Sequence, residues 1–241
     1  MGGAALETMR AAWPATDDGT DGAEWLAAVR GLRPIVEAGW ETPLLMRMVA
    51  AGDDPADIAA NWGGAYREAA VERFGIAQAD LGKRFGATRD GVIANRRQEW
   101  LESNRAFDGA ADAVRELLDA GPGLSVKIVT TKDRRFAKAI LEHHGVFLKD
   151  DADLISVPSG DAKASVVASL LAESERVVFV EDRIETLESV LEQDVPGSDR
   201  LALLFAEWGY STDAMKERAR ANPKVVSVKT AAGLLVSGAK Q

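Results

Sequence analysis

Two carboxylates in succession, Glu181 and Asp182, close the apolar run Val177-Val178-Phe179-Val180, and Arg183 follows them. Buried without partners, such a pair is costly, so it calls for a cation or for strong hydrogen bonds. Hard oxygen ligands of this kind suit Mg²⁺, which keeps several waters and takes one or two protein carboxylates. The plainer alternative is that Asp182 caps the next helix while Glu181 stays in solvent. An earlier run, Val126-Lys127-Ile128-Val129, ends in Thr130-Thr131-Lys132. There a hydroxyl, with the amides that open a helix, can donate to an anion such as phosphate, or the threonine can simply cap that helix. Lys163 stands between them, in Ser159-Gly160-Asp161-Ala162-Lys163, at the opening of another helix. An ammonium in that place opposes the helix dipole unless an anion lies nearby, and a solvated surface lysine is its ordinary alternative. The combination carries more than its members. A hydroxyl, an ammonium and an acidic pair at three successive loops describe a site for a phosphoryl group with Mg²⁺.

These residues need a scaffold that brings separate loops to one edge, and the apolar pattern predicts one. From Ala4 to about Ala120 apolar residues recur at helical spacing, as in Trp40, Leu44, Leu45 and Met48, or Trp62, Tyr66, Ala69, Ala70 and Phe74. Asp54 followed by Pro55 marks a helix start, and a further helix is expected from about Ala79 to Asn104. After Gly121-Pro122-Gly123 the rhythm changes to short β-branched runs: 126–130, 154–157, 176–180, 201–205 and 225–228. Helical segments separate them, at 134–144, 162–172, 184–193 and 212–221. Strands alternating with helices of about ten residues predict an α/β fold, a parallel sheet covered on both faces. Such sheets carry their chemistry just beyond the carboxyl ends of the strands, which is where Thr130 and the acidic pair stand.

Composition narrows the classes. The chain has 241 residues, no Cys and two His, the adjacent His143 and His144, which excludes a thiolate zinc site and a cysteine nucleophile and disfavours a His-rich centre. The two imidazoles precede Gly145 at a predicted helix end, where they complement the dipole. A net charge of −9 argues against a dedicated nucleic-acid binder. No apolar stretch reaches 18 residues, so no membrane-spanning helix is expected. The opening residues lack a basic segment followed by an apolar run, so no secretory signal is expected and a cytoplasmic setting is the default. Trp25, Trp40, Trp62 and Trp100 are expected to serve core packing, with one lining a pocket as the sharper option. Arg96-Arg97 are expected on a solvated helix face, with contact to an anionic substrate as the alternative.

In order, Thr130, Lys163 and Glu181-Asp182 resemble the motifs of the haloacid dehalogenase-like superfamily of phosphohydrolases. Val129-Thr130-Thr131-Lys132 with Phe136-Ala137 is similar to its second motif, and Val178-Phe179-Val180-Glu181-Asp182-Arg183 to its fourth. Phe107-Asp108-Gly109 is similar to its return from cap to core, and the segment from Leu32 to Glu41 to a subgroup in cyanobacteria and photosynthetic eukaryotes, which would add the chloroplast as a setting. The resemblance implies a Rossmann-like core with a helical cap: residues 1–21 begin the core, 22–105 form the cap and 106–241 complete the core. It implies Mg²⁺-dependent hydrolysis of a small phosphorylated metabolite through an aspartyl-phosphate. Thr130 and Lys163 would bind phosphoryl oxygens, and Asp182 would hold the metal, with Glu181 beside it as a ligand or behind it. An acid one position beyond Glu185 is the family's commoner pattern; Thr186 stands there, so Glu185 has no assigned part. The acidic pair speaks against the metal-free dehalogenase branch.

One piece of that family's pattern is absent. Its nucleophile stands in Asp-x-Asp-Gly after four apolar residues, and no such string occurs here. Thr16-Asp17-Asp18-Gly19-Thr20 is the nearest, but threonine occupies the nucleophile's place, and Ala11-Ala12-Trp13-Pro14-Ala15 before it reads as a helix broken by proline. Glu7 to Trp13 resembles the helix that follows the first motif. The expectation is therefore a chain that starts after its nucleophile, more readily through a truncated reading frame than through natural loss. In the family the first strand lies between those ending at Thr130 and at Glu181-Asp182. Were it truly missing, direct pairing of the two flanking strands is the expected closure and loss of activity the expected result. A non-catalytic protein that binds a phosphorylated ligand or a protein partner is the alternative reading, and a plain doubly wound binding module a third.

Overall fold

The computed structural model describes residues 2–16, 19–158, 160–193 and 196–237. The chain divides into two compact units, Met1–Asn104 and Arg105–Gln241. The first is helical. It holds α1 (Gly2–Ala12), α2 (Ala23–Gly31), α3 (Glu41–Ala50), α4 (Pro55–Asn61), α5 (Gly64–Phe74) and α6 (Gln78–Glu102). Its core follows from the helical spacing of the apolar residues: Ala4, Ala5 and Met9 of α1 are buried where α1 packs against α3 and α6, facing Leu44, Leu45 and Met46 of α3. Asp54 caps α4 as its sequence demands, its side chain accepting from the amide of Ala56 at 2.9 Å. Gly75 ends α5 at φ 66°, the left-handed conformation that a side chain resists.

Proline breaks α1 as expected, giving a short 3₁₀ turn over Pro14–Thr16. Asp17 and Asp18 of the near-match to the first motif lie outside the described residues. Trp100 is buried, whereas Trp25, Trp40 and Trp62 are only half-buried, so packing claims one of the four outright. Arg96 departs from helical geometry within α6 (φ −141°, ψ 45°), and its guanidinium pairs with Glu7 at 2.5 Å.

The second unit is α/β. It runs α7 (Ala110–Asp119), β1 (Ile128–Thr130), α8 (Arg134–His143), β2 (Leu154–Ser156), α9 (Asp161–Glu173), β3 (Val177–Glu181), α10 (Ile184–Glu192), β4 (Leu201–Ala206), α11 (Asp213–Ala221), β5 (Val225–Val228) and α12 (Gly233–Ser237). Every apolar run singled out in the sequence forms a strand, and all the pairings are parallel. Alternation along β3 decides its two faces. Val177 and Phe179 pack with Val167 and Leu171 of α9 and Ile184, Leu187 and Val190 of α10, whereas Val180 turns to the other face with Leu204, Val228 and Leu234. Helices therefore cover both faces, and the α/β expectation holds. No helix among the described residues is long and apolar enough to cross a membrane.

The sheet is split. β1 pairs with β2, and β3 with β4 and then β5, as two separate sheets. Direct pairing of β1 with β3, the expected closure, does not occur among the described residues. The carbonyl of Thr130 accepts from Val157 on the β2 side at 2.8 Å, so the parallel ladder turns the amide and carbonyl of Val129 to the opposite edge. On β3, Val178 is 39% exposed, unlike the buried centre of a continuous parallel sheet. α9 packs on both β1 and β3 and so spans the break.

Candidate functional site at the strand ends

Adjacent residues at the end of an extended strand point to opposite sides, and this separates the acidic pair. Glu181 lies on the Phe179 face, toward α9, and is buried. There its Oε2 accepts from Lys163 Nζ at 2.5 Å, and its Oε1 accepts from the amides of Asp182 at 3.1 Å and Arg183 at 3.3 Å. Lys163 thus finds the anion that its place in the first turn of α9 requires, and that anion is a protein carboxylate. Burial pushes the Glu181 carboxyl above its ordinary range; Lys163 works against that rise and the neighbouring Asp182 adds to it.

Asp182 turns toward the loop after β4. Its Oδ2 accepts from the amide of Tyr210 at 2.8 Å. Gly209 makes that approach feasible, since a methyl there would lie 2.5 Å from Asp182 Oδ2 and 2.8 Å from its Cγ. Its other oxygen, Oδ1, accepts no hydrogen bond among the described residues. Gly209→Ala is accordingly expected to displace this carboxylate and cost about 1 to 3 kcal/mol of stability through overpacking, read from thermal melts. In an Asp182→Gly background the same methyl has room, so the two losses are expected to be strongly non-additive.

Thr130 ends β1, half-buried, its hydroxyl accepting from the amide of Lys132 at 3.0 Å. This local turn leaves the hydroxyl proton free to be donated to an anion. α9, which carries Lys163, is the element packed on both strands, and no hydrogen bond or ion pair joins the Thr130 side chain to the other three residues among the described ones. The structure therefore brings Lys163, Glu181 and Asp182 into direct neighbourhood and holds Thr130 at the end of the strand across the break. Glu185 faces away, paired with Arg218 at 3.0 Å and Arg183 at 3.7 Å. Ser159, in the loop before Lys163, lies outside the described residues.

Among the described residues no group of three or more acidic or histidine side chains is arranged to hold a metal. The donors fit a Mg²⁺ that keeps most of its waters. Asp182 Oδ1 is the available carboxylate oxygen, and Glu181, with both oxygens engaged, stands behind it. A family model of haloacid dehalogenase-like hydrolases matches residues 5–190, well over half of the chain. The chain belongs to the haloacid dehalogenase-like hydrolases. No curated protein matches it, nor does any solved structure. Membership agrees with the site as built, since this hydrolase family acts on small phosphorylated substrates and generally uses Mg²⁺.

Three features of the site were not singled out in the sequence. The Lys163–Glu181 pair had a signal, an ammonium against the dipole and an acid one strand later, but neither residue named the other. The Gly209-Tyr210 clasp on Asp182 had none, because a glycine in a loop of 211 minus 207 spacing looks like any turn. In the helical unit, Glu41 is fully buried at the start of α3, accepting from Arg67 at 2.7 Å and from the amides of Glu37 at 2.6 Å and Ala38 at 3.2 Å. It pins the loop from Glu37 to Trp40, and burial raises its carboxyl despite those bonds.

Proposed function

We propose that this hydrolase is a Mg²⁺-dependent phosphatase of a small phosphorylated metabolite, built to work through an aspartyl-phosphate, whose phosphate and metal subsite is carried by these 241 residues and whose nucleophile is not among them. The observation that carries the reading is the clasp on Asp182. A carboxylate fixed from one side by the Tyr210 amide and backed by the Lys163–Glu181 pair is a preorganised ligand at the carboxyl end of a central strand. Bound there, Mg²⁺ would mask the repulsion between the phosphate and the protein's carboxylates. Lys163 holds positive charge at the subsite while giving one hydrogen bond to Glu181, and an ammonium has two further protons for phosphoryl oxygens. Thr130 Oγ1 donates to the same group from β1. The helical segment 22–105 is assigned the cap that excludes water and selects the substrate, and 106–241 the core. Residues 1–21, expected to begin the core, pack through α1 on α3 and α6.

The split sheet and the absent Asp-x-Asp motif favour a second reading for the chain as it stands, a binder of phosphorylated ligands without turnover. The test separates binding from chemistry. Inorganic phosphate with Mg²⁺ is expected to raise the melting temperature, and Asp182→Asn to remove the Mg²⁺-dependent part of that rise. Hydrolysis of p-nitrophenyl phosphate is expected at background. Robust turnover abolished by Asp182→Asn would show a nucleophile already present in the chain and overturn its assignment as missing.

A further inference from the structure

We infer that the loop between β4 and α11 offers a stacking face for a planar aromatic group on the phosphorylated ligand, with Tyr210 as that face. The inference rests on the phosphatase reading and adds a substrate class to it. Tyr210 is the residue whose amide holds Asp182, so its ring begins within a few bonds of the metal and phosphate subsite. The ring is 39% exposed, one of few large apolar side chains left so open in the protein. It is nevertheless fixed in place. Phe107 meets it edge to face at 4.8 Å and 67°, and Phe107 in turn meets Trp208 at 5.6 Å and 70°. Edge-to-face contacts engage an aromatic ring while leaving a face for a second partner, and a ring already immobilised loses little entropy when a ligand lies on it. Beside it, the indole Nε1 of Trp208 is buried and makes no hydrogen bond among the described residues. Such a donor gains from a polar edge on the same ligand.

Phe107 and the loop lie far apart in sequence and converge only in the folded second unit. Trp208 also packs on the cluster of Leu204, Val228 and Leu234, which anchors the trio to the sheet. A platform held this firmly beside a phosphate subsite discriminates by shape: a flat ring stacks on it, a puckered one of equal size does not.

The experiment compares inorganic phosphate, phenyl phosphate and cyclohexyl phosphate by titration calorimetry on the full chain with Mg²⁺. Phenyl phosphate is expected to bind about three- to tenfold more tightly than cyclohexyl phosphate. Tyr210→Ala keeps the backbone amide and is expected to abolish that preference while leaving inorganic phosphate unchanged; Tyr210→Phe is expected to retain it. Equal binding of the two esters to the native chain, or a preference that survives Tyr210→Ala, overturns this inference alone. Failure of inorganic phosphate itself to bind overturns the phosphatase reading and this inference with it.

Discussion

Replacing Lys163 with Met is expected to lower the stability of the chain by about 3 to 5 kcal/mol at neutral pH, a large part of what holds a domain folded. The cause is the charge left behind. Glu181 is buried on the α9 side of β3, and Lys163, itself 13% exposed in its side chain, is its cationic partner at 2.5 Å. The backbone amides of Asp182 and Arg183 continue to satisfy one carboxylate oxygen, so the loss falls on the other. The pH dependence has a defined sign. Burial raises the folded Glu181 carboxyl above its ordinary value, so this group favours folding most when protonated and costs stability as the pH climbs through its folded value. Removing Lys163 takes away a downward pull and raises it further. The gap between parent and variant is therefore expected to be widest near neutrality and to narrow as the pH falls toward the ordinary glutamate range. Denaturant titrations across that range measure it. A companion variant, Lys163→Met with Glu181→Gln, is expected to recover most of the loss, because the buried charge goes with its partner. A gap that stays constant with pH would show that packing of the lysine stem, and not the charge, is what was lost.

Joining a first strand to the chain is expected to produce the second large effect, a gain. β1 and β3 each carry a single ladder partner, on the side away from the break, and Val129 turns its backbone polar groups to the open edge. A segment of four or five β-branched residues ending in Asp-x-Asp, placed ahead of the chain, can make ladder bonds on both sides, each contributing about 0.5 to 1.5 kcal/mol. A few such bonds together are expected to raise the melting temperature by about 10 °C. The same extension is expected to bring hydrolysis of p-nitrophenyl phosphate at least about a thousandfold above that of an extension with both aspartates changed to asparagine. The asparagine form should keep the thermal gain and lack the turnover, which separates sheet completion from chemistry. An extension that raises neither quantity would show that the break between the sheets does not receive a strand, and the proposed place of the nucleophile would be lost.

The sequence by itself determined the elements and their order. Period-two and period-3.6 patterns are local properties of the chain, so the five strands, the helices between them, the Asp54 cap and the proline stop after α1 could all be read before any packing was known. It also determined which residues stand at strand ends, Thr130 and Glu181-Asp182, because a strand end is where an apolar run stops. Which way those side chains turn was beyond it. Glu181 and Asp182 are neighbours in the chain, yet strand alternation sends one to α9 and the other to the loop at Gly209, so a pair that reads as one metal ligand set becomes a buried ion pair and a separate clasped carboxylate. The partners that make this difference, Lys163 and Tyr210, lie 18 and 28 residues away, and only tertiary packing chooses among residues so remote. The break between β1 and β3 belongs to the same level: a strand's sequence says that it wants partners, and the fold alone decides whether both of its edges receive them.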